Sequence, residues 1–181
     1  VIVIAGNHDN PERLTAAASV LARHSVVIAG QPNTTMPIGK YGNNFIFRSG
    51  SGYIQGKVHD ERFDMILLPF PSERRMGHSI LSLAADEITR AKEFEVYIKD
   101  WFAKREKCFR KDSVHLVASH IFVMGSVEEG SERSVQLGGS YLVSAKVFPN
   151  NADYIALGHV HKPQVVPGLH KARYSGSPIQ Y

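Results

Sequence analysis

The chain has 181 residues, of which 43% are hydrophobic and 21% charged, and its formal net charge is +4. A chain of this length can bury a substantial core as one domain. No apolar run approaches the ~20 residues that cross a bilayer, so we expect no membrane association. The single Cys108 excludes an internal disulfide and fits a cytoplasmic protein. The mild positive charge permits a polyanionic partner without requiring one.

The apolar pattern predicts strands and helices that alternate over most of the chain. Asn10 and Pro11 are typical of a helix start, as N-cap and first helical residue. The longest helix should bury one face that carries Ile88, Ile98 and Phe102. This order indicates an α/β fold, either layered or an αββα sandwich. In chain order, we expect strand 1–5, helix 11–24, strand 25–29, loop 30–43, hairpin 44–48 and 53–58, strand 64–70, helix 81–107, a strand ending at 120, loop 124–140, short helix 144–148, strand 153–159 and paired strands 164–166 and 172–174.

Asparagine and histidine side chains follow three of these apolar strands. Gly6-Asn7-His8-Asp9 follows the first strand, His120 ends a later one, and Gly158-His159-Val160-His161 ends another. Ligands of open α/β sheets bind at the carboxyl ends of strands. Amide oxygen and imidazole nitrogen suit hard-to-borderline metal ions. The three strand ends therefore predict a metal site.

Each residue type in this set has a distinct chemical use. Asn7 offers a neutral oxygen ligand, and His120, His159 and His161 offer imidazoles. His159 and His161 would share a face of an extended strand, or address two adjacent metal ions if the chain turns there. Two ions ~3.5–4 Å apart are the usual arrangement for hydrolysing phosphate esters. His8 suits a general acid, and Asp9 would either hold the His8 ring or close the turn.

The three motifs resemble the calcineurin-like metallophosphoesterase superfamily, which carries Gly-Asn-His-(Asp/Glu), a lone His and Gly-His-x-His in this order. Within it, the chain is most similar to the SbcD family of DNA double-strand-break repair nucleases. The segments Ala152–Gln164 and Tyr174–Ile179 match that family most closely.

The resemblance implies an αββα sandwich and a site with two divalent ions, Mn²⁺ above all. Asn7, His120 and His159 would bind one ion and His161 the other, and His8 would be the catalytic histidine. The family is a 3′-to-5′ exonuclease and endonuclease that acts on DNA with an SMC-like ATPase of the SbcC type. It dimerises through helices near the first of these motifs, so the resemblance makes the 11–24 helix a candidate homodimer surface. Packing of that helix on the core is the alternative.

Two superfamily motifs, Asp-x-His and Gly-Asp-x-x-Asp, do not occur in the chain. The resemblance assigns to them the bridging carboxylate and most ligands of the first metal. We therefore expect residues 1–181 to be the C-terminal portion of a single metallophosphoesterase domain, without its N-terminal βαβ part and with no second domain. We expect this portion alone to bind metal weakly and to be catalytically inactive.

Two other functions fit the same residues. One is a metallophosphoesterase acting on small phosphodiesters or phosphoproteins. The other is a non-catalytic module for assembly or DNA binding. The basic segment Lys104–Lys111 is either a solvated helix end, with cations at the negative pole of the helix dipole, or a phosphate-backbone contact.

Overall fold

The computed structural model describes residues 1–76, 86–127 and 141–177. Twelve strands, four α-helices and one 3₁₀ turn are found in these ranges. The strands are β1 Ile2–Ile4, β2 Val27–Ala29, β3 Gly39–Tyr41, β4 Asn44–Gly50, β5 Tyr53–Val58, β6 Glu61–Leu68, β7 Val114–His120, β8 Phe122–Val123, β9 Leu142–Val143, β10 Tyr154–Gly158, β11 Gln164–Val166 and β12 Leu169–Tyr174. The α-helices are α1 Pro11–Thr15, α2 Ala18–Ala22, α3 Glu73–Met76 and α4 Glu87–Glu106, and the 3₁₀ turn is Ala145–Val147.

Eight of the strands form one mixed sheet in the order β11-β12-β10-β7-β6-β5-β4-β3. Strands β6, β7, β10 and β12 are parallel neighbours, whereas β3 to β6 form antiparallel hairpins. The strands β1 and β2 form a separate parallel pair, and β8 pairs with β9. The expected α/β class is confirmed. The carboxyl ends of β7 and β10 lie side by side, with His120 opposite Gly158.

The large sheet is buried on both faces by two separate apolar clusters. Strand β6 contributes Ile66 and Leu68 to the cluster under α4, and Met65 and Leu67 to the cluster under the β1–β2 pair. This alternation follows from the two-residue period of a strand. A strand covered on both faces reads as a continuous apolar run, which explains its strong sequence signal. The molecule therefore has three layers: the β1–β2 pair, the large sheet and α4.

The connection from α4 to β7 is tied to the sheet by one buried carboxylate. Asp64 on β6 is fully buried and accepts hydrogen bonds from Gln55, Ser113 and the backbone and guanidinium of Arg110. Burial by itself would raise the pKa of Asp64, but these hydrogen bonds and the nearby charge of Arg110 lower it below its usual value. Asp64 is therefore an ionised and fully paired group in the core.

A second polar tie joins the last strand to the segment after His120. The hydroxyl of the fully buried Tyr174 donates to the carbonyl of Ile121 at 2.7 Å and accepts from the N–H of Val123 at 3.0 Å. Its burial raises its pKa. Tyr174 thereby satisfies two backbone groups beside β7 for which no strand partner is available.

Several expected boundaries are wrong. The single helix expected over 11–24 is two short helices, because the Thr15 hydroxyl donates to the Pro11 carbonyl at 2.8 Å, a contact that bends helices. Residues 30–43, expected as a loop, contain β3. The long helix begins at Glu87, where Asp86 caps it, rather than at residue 81, and Ile88 is 69% exposed rather than buried. Residues 81–85 and most of the loop expected over 124–140 lie outside the described ranges.

No helix among the described residues is long and apolar enough to cross a membrane.

Candidate metal centre

The three motifs meet in one pocket at the carboxyl ends of β1, β7 and β10. The pocket has a volume of about 270 Å³ and lies where the small sheet covers the edge of the large one. Asn7 and His8 follow β1 of the small sheet, whereas His120 and His159 follow strands of the large sheet. All six residues expected at the site line the pocket, namely Asn7, His8, Asp9, His120, His159 and His161.

Asn7 and His120 form the closest contact between two expected metal ligands. The Oδ1 atom of Asn7 lies 3.0 Å from Nε2 of His120. Two ligand atoms that are each about 2.1 Å from one ion, at neighbouring coordination positions, lie about 3 Å apart. The pair therefore fits a shared ion as well as it fits a hydrogen bond.

His120 is held as a neutral imidazole. Desolvation by burial, followed by the proximity of His159, lowers the pKa of His120 to about 3. A metal-binding imidazole must be unprotonated. At neutral pH His120 therefore has the protonation state of a ligand.

Two glycines leave room for the His120 ring. A Cβ atom at Gly6 would lie 2.7 Å from Cε1 of His120, and one at Gly158 would lie 2.8 Å from Nδ1. Neither distance allows a normal carbon contact of about 3.5–4.0 Å. The glycines that begin both motifs are thus required by the close approach of the ring.

His159 has an unusual backbone conformation for a residue with a side chain. Its φ is 108°, a value that costs non-glycine residues about 1–3 kcal/mol. The ring is buried, stacks on Phe70 at 6.1 Å between centroids and meets His120 edge to face at 5.3 Å. The chain therefore turns at His159, which corresponds to the arrangement in which His159 and His161 can address different positions.

The turn that carries Asn7 and His8 is closed by Asp9. Its carboxylate accepts a hydrogen bond of 2.6 Å from the Gly6 N–H. This is the turn-closing contact, one of the two roles expected for Asp9. His8 is exposed at the rim of the pocket, where a substrate could reach it.

Other residues at the site carry no motif in the sequence. Phe70 contacts both His120 and His159 because it follows β6, the neighbour of β7. Gly176 and Ser177 line the pocket, and the Ser177 N–H donates to the His161 carbonyl at 2.8 Å. The sequence signal for the latter was the turn-like Ser175–Pro178 segment, whose position in space only the sheet order reveals.

No group of three or more His, Cys, Asp or Glu side chains converges as a metal site in the described ranges. The donors that do converge are one amide oxygen and imidazoles, with no carboxylate ligand beside them. This set fits part of the coordination sphere of a divalent ion rather than a complete one.

The basic segment Lys104–Lys111 uses both of its arginines within the molecule. Arg105 lies 3.6 Å above the Trp101 ring and donates to Asn33, while Arg110 belongs to the Asp64 network. Helix α4 ends at Glu106, with Lys104 and Arg105 in its last turn. The helix-end interpretation is therefore observed, and a phosphate contact by the lysines stays a prediction.

The fold and pocket together define an α/β protein with asparagine and histidine donors at the ends of strands from two sheets. No family model matches the chain. It is nevertheless 38% identical over 182 residues to the SbcD subunit of the nuclease SbcCD from Bacillus subtilis strain 168, which includes 100% of this chain and 42% of that protein. The identity to the corresponding SbcD protein is 29% in Rhodobacter capsulatus and 25% in Escherichia coli K12, over 99% of this chain and 43% and 42% of those proteins.

These relatives confirm the resemblance to SbcD nuclease proteins that the motifs indicate, since the similarity extends over the whole chain. The chain spans less than half of the length of the curated relatives it matches.

Proposed function

We propose that this chain forms part of a metal-dependent DNA nuclease of the SbcD type. In this proposal it supplies one side of a centre for two divalent ions, preferably Mn²⁺, in a metallophosphoesterase sandwich. The small β1–β2 pair would be the remainder of the second sheet of that sandwich. The contact of Asn7 Oδ1 with His120 Nε2 at 3.0 Å, in a pocket shared with His8, His159 and His161, is the observation that carries the proposal.

Each side chain has a separate task in phosphodiester hydrolysis. Asn7, His120 and His159 would hold one ion and His161 the other. The ions, when bound, supply an activated water and stabilise the charge that develops on the phosphate. His8 is exposed at the rim and would donate a proton to the departing oxygen. Phe70 keeps water from the rings of His120 and His159 by packing against both.

The partners in this proposal are DNA, an SMC-like ATPase of the SbcC type and a second copy of the chain. The relatives are named as components of an SbcCD nuclease, which supports the ATPase partner. Helices α1 and α2 contain no buried residue, and Val20 is 61% exposed, which supports a dimer surface there. The inner side of α2 packs on the core through Ala22.

The test uses a protein of the length of the relatives, assayed with Mn²⁺ on linear duplex DNA. We expect cleavage that His8→Ala abolishes while Mn²⁺ binding persists. His24→Ala, a histidine outside the pocket, is the matched control and should cleave normally. Hydrolysis of small phosphodiesters without DNA cleavage would instead establish a phosphoesterase. DNA binding without any hydrolysis would establish a non-catalytic module.

Residues 1–181 alone should not cleave DNA. The converging donors lack a carboxylate ligand in the described ranges, so the bridging position between two ions would have no occupant from this chain. Manganese-dependent cleavage by the purified 181-residue chain would contradict this part of the proposal.

A further inference from the structure

Arg75 joins α3 to both ends of the turn that carries Asn7 and His8. Its Nη1 donates to the Gly6 carbonyl at 2.7 Å, and its Nη2 donates to the Asp9 carbonyl at 2.5 Å. The planar guanidinium thus spans the turn with two donors fixed relative to each other. Hydrogen bonds from a charged donor are stronger than those between neutral groups, so this fork restrains the turn firmly.

The same guanidinium also lies against the aromatic side of the pocket. Its central carbon is 5.7 Å from the centroid of the Phe70 ring, and that ring stacks on His159. The Phe70 N–H donates to the Ala5 carbonyl at 2.9 Å, directly before the turn. Arg75 and Phe70 therefore link the turn on the small sheet to a histidine on the large sheet.

Neither acceptor of Arg75 is a side chain, which distinguishes this contact from an ordinary surface ion pair. Burial lowers the pKa of Arg75, while the carboxylates of Asp9 and Glu12 act in the opposite direction. The guanidinium remains charged at neutral pH, as arginine does in proteins. It is only partly exposed, so few water molecules can replace its two hydrogen bonds if it is removed.

We propose that Arg75 is a positioning residue of the metal centre: its fork holds the Gly6–Asp9 turn so that Asn7 faces His120. This inference rests on the proposed function. Groups that orient metal ligands from behind typically change metal affinity about 10- to 100-fold when they are removed. Arg75 differs from such groups only in acting on the backbone of the ligand-bearing turn.

The experiment measures Mn²⁺ affinity by isothermal titration calorimetry, in a protein of the length of the relatives. We expect Arg75→Ala to bind Mn²⁺ about 10- to 100-fold more weakly. Arg74→Ala removes the same charge from an exposed neighbour on the same helix, and should bind like the wild type. Millimolar guanidinium should restore affinity to Arg75→Ala but not to Asn7→Ala, whereas equal ionic strength from sodium chloride should restore neither.

The outcomes separate this inference from the function on which it rests. Wild-type affinity in a folded Arg75→Ala variant, or equal losses at Arg74 and Arg75, would overturn the role of Arg75 and leave the nuclease proposal intact. Absence of Mn²⁺ binding by the wild-type protein would overturn both. If Arg75→Ala does not fold, Arg75→Lys keeps the charge without the rigid fork; wild-type affinity in that variant would overturn the inference.

Discussion

The substitution Gly6→Ala should force the new methyl group into the ring of His120. The added Cβ would lie 2.7 Å from Cε1 and 3.1 Å from both ring nitrogens, about 1 Å inside a normal contact. The ring cannot retreat, because the backbone of Gly158 confines its other side. Overpacking of this kind costs about 1–3 kcal/mol in the free energy of unfolding. The φ of Gly6 is not in the left-handed region, so the cost is steric.

A double-mutant cycle separates this clash from other effects of the substitution. We expect Gly6→Ala to cost about 1–3 kcal/mol in the wild type and much less in a His120→Ala background, where the ring is gone. The coupling energy should then fall within the range of about 0.5–3 kcal/mol seen for residues in contact. Urea unfolding with EDTA present supplies the four free energies, provided that the m-values agree. Equal costs in the two backgrounds would refute the packing of His120 against Gly6.

Three further predictions concern the buried polar groups. Asp64→Asn should lower the free energy of unfolding by about 3 kcal/mol, because it breaks a buried ion pair, whereas Asp112→Asn in an exposed pair should cost at most about 1 kcal/mol; similar losses in urea unfolding would contradict the assigned role. Tyr174→Phe should cost about 1–3 kcal/mol by leaving a buried N–H and carbonyl unpaired, and Tyr154→Phe at an exposed position should be nearly neutral, with thermal unfolding as the measurement. His120 binds its proton near pH 3 when folded and near about pH 6.5 when unfolded, so stability of the metal-free chain should fall as the pH is lowered between these values. A His120→Gln variant should lose that part of the slope, and an unchanged slope would contradict the prediction.

The motifs could be recognised in the sequence because their signals are local. An apolar run followed by glycine and polar ligands marks a strand end, and Asn7, His120 and His159 each stand at the end of an apolar run. The capping of α1 by Asn10 was equally local, and its side chain does accept from the Arg13 N–H. Local patterns also located the large parallel strands, since strands buried on both faces are apolar throughout.

The rest of the site depends on which strands are neighbours, and periodicity does not encode this. Phe70 and Arg75 follow a strand without any metal-binding motif, and they reach the pocket only because β6 lies beside β7. Tyr174 is a buried hydrogen-bonding group for the same reason. Likewise β3 was missed because a three-residue strand carries too few residues for an alternation to stand out.

The division of the pocket between two sheets ties ion binding to the cohesion of the layers. Asn7 moves with the β1–β2 pair and His120 with the large sheet, and mainly apolar contacts hold these layers together. An ion shared by the two side chains would act as a clasp that only the closed arrangement can fasten. At a concentration about 100 times its dissociation constant, such an ion would stabilise that arrangement by about 2.7 kcal/mol. The supply of metal would then decide how tightly the small sheet is latched to the rest of the molecule.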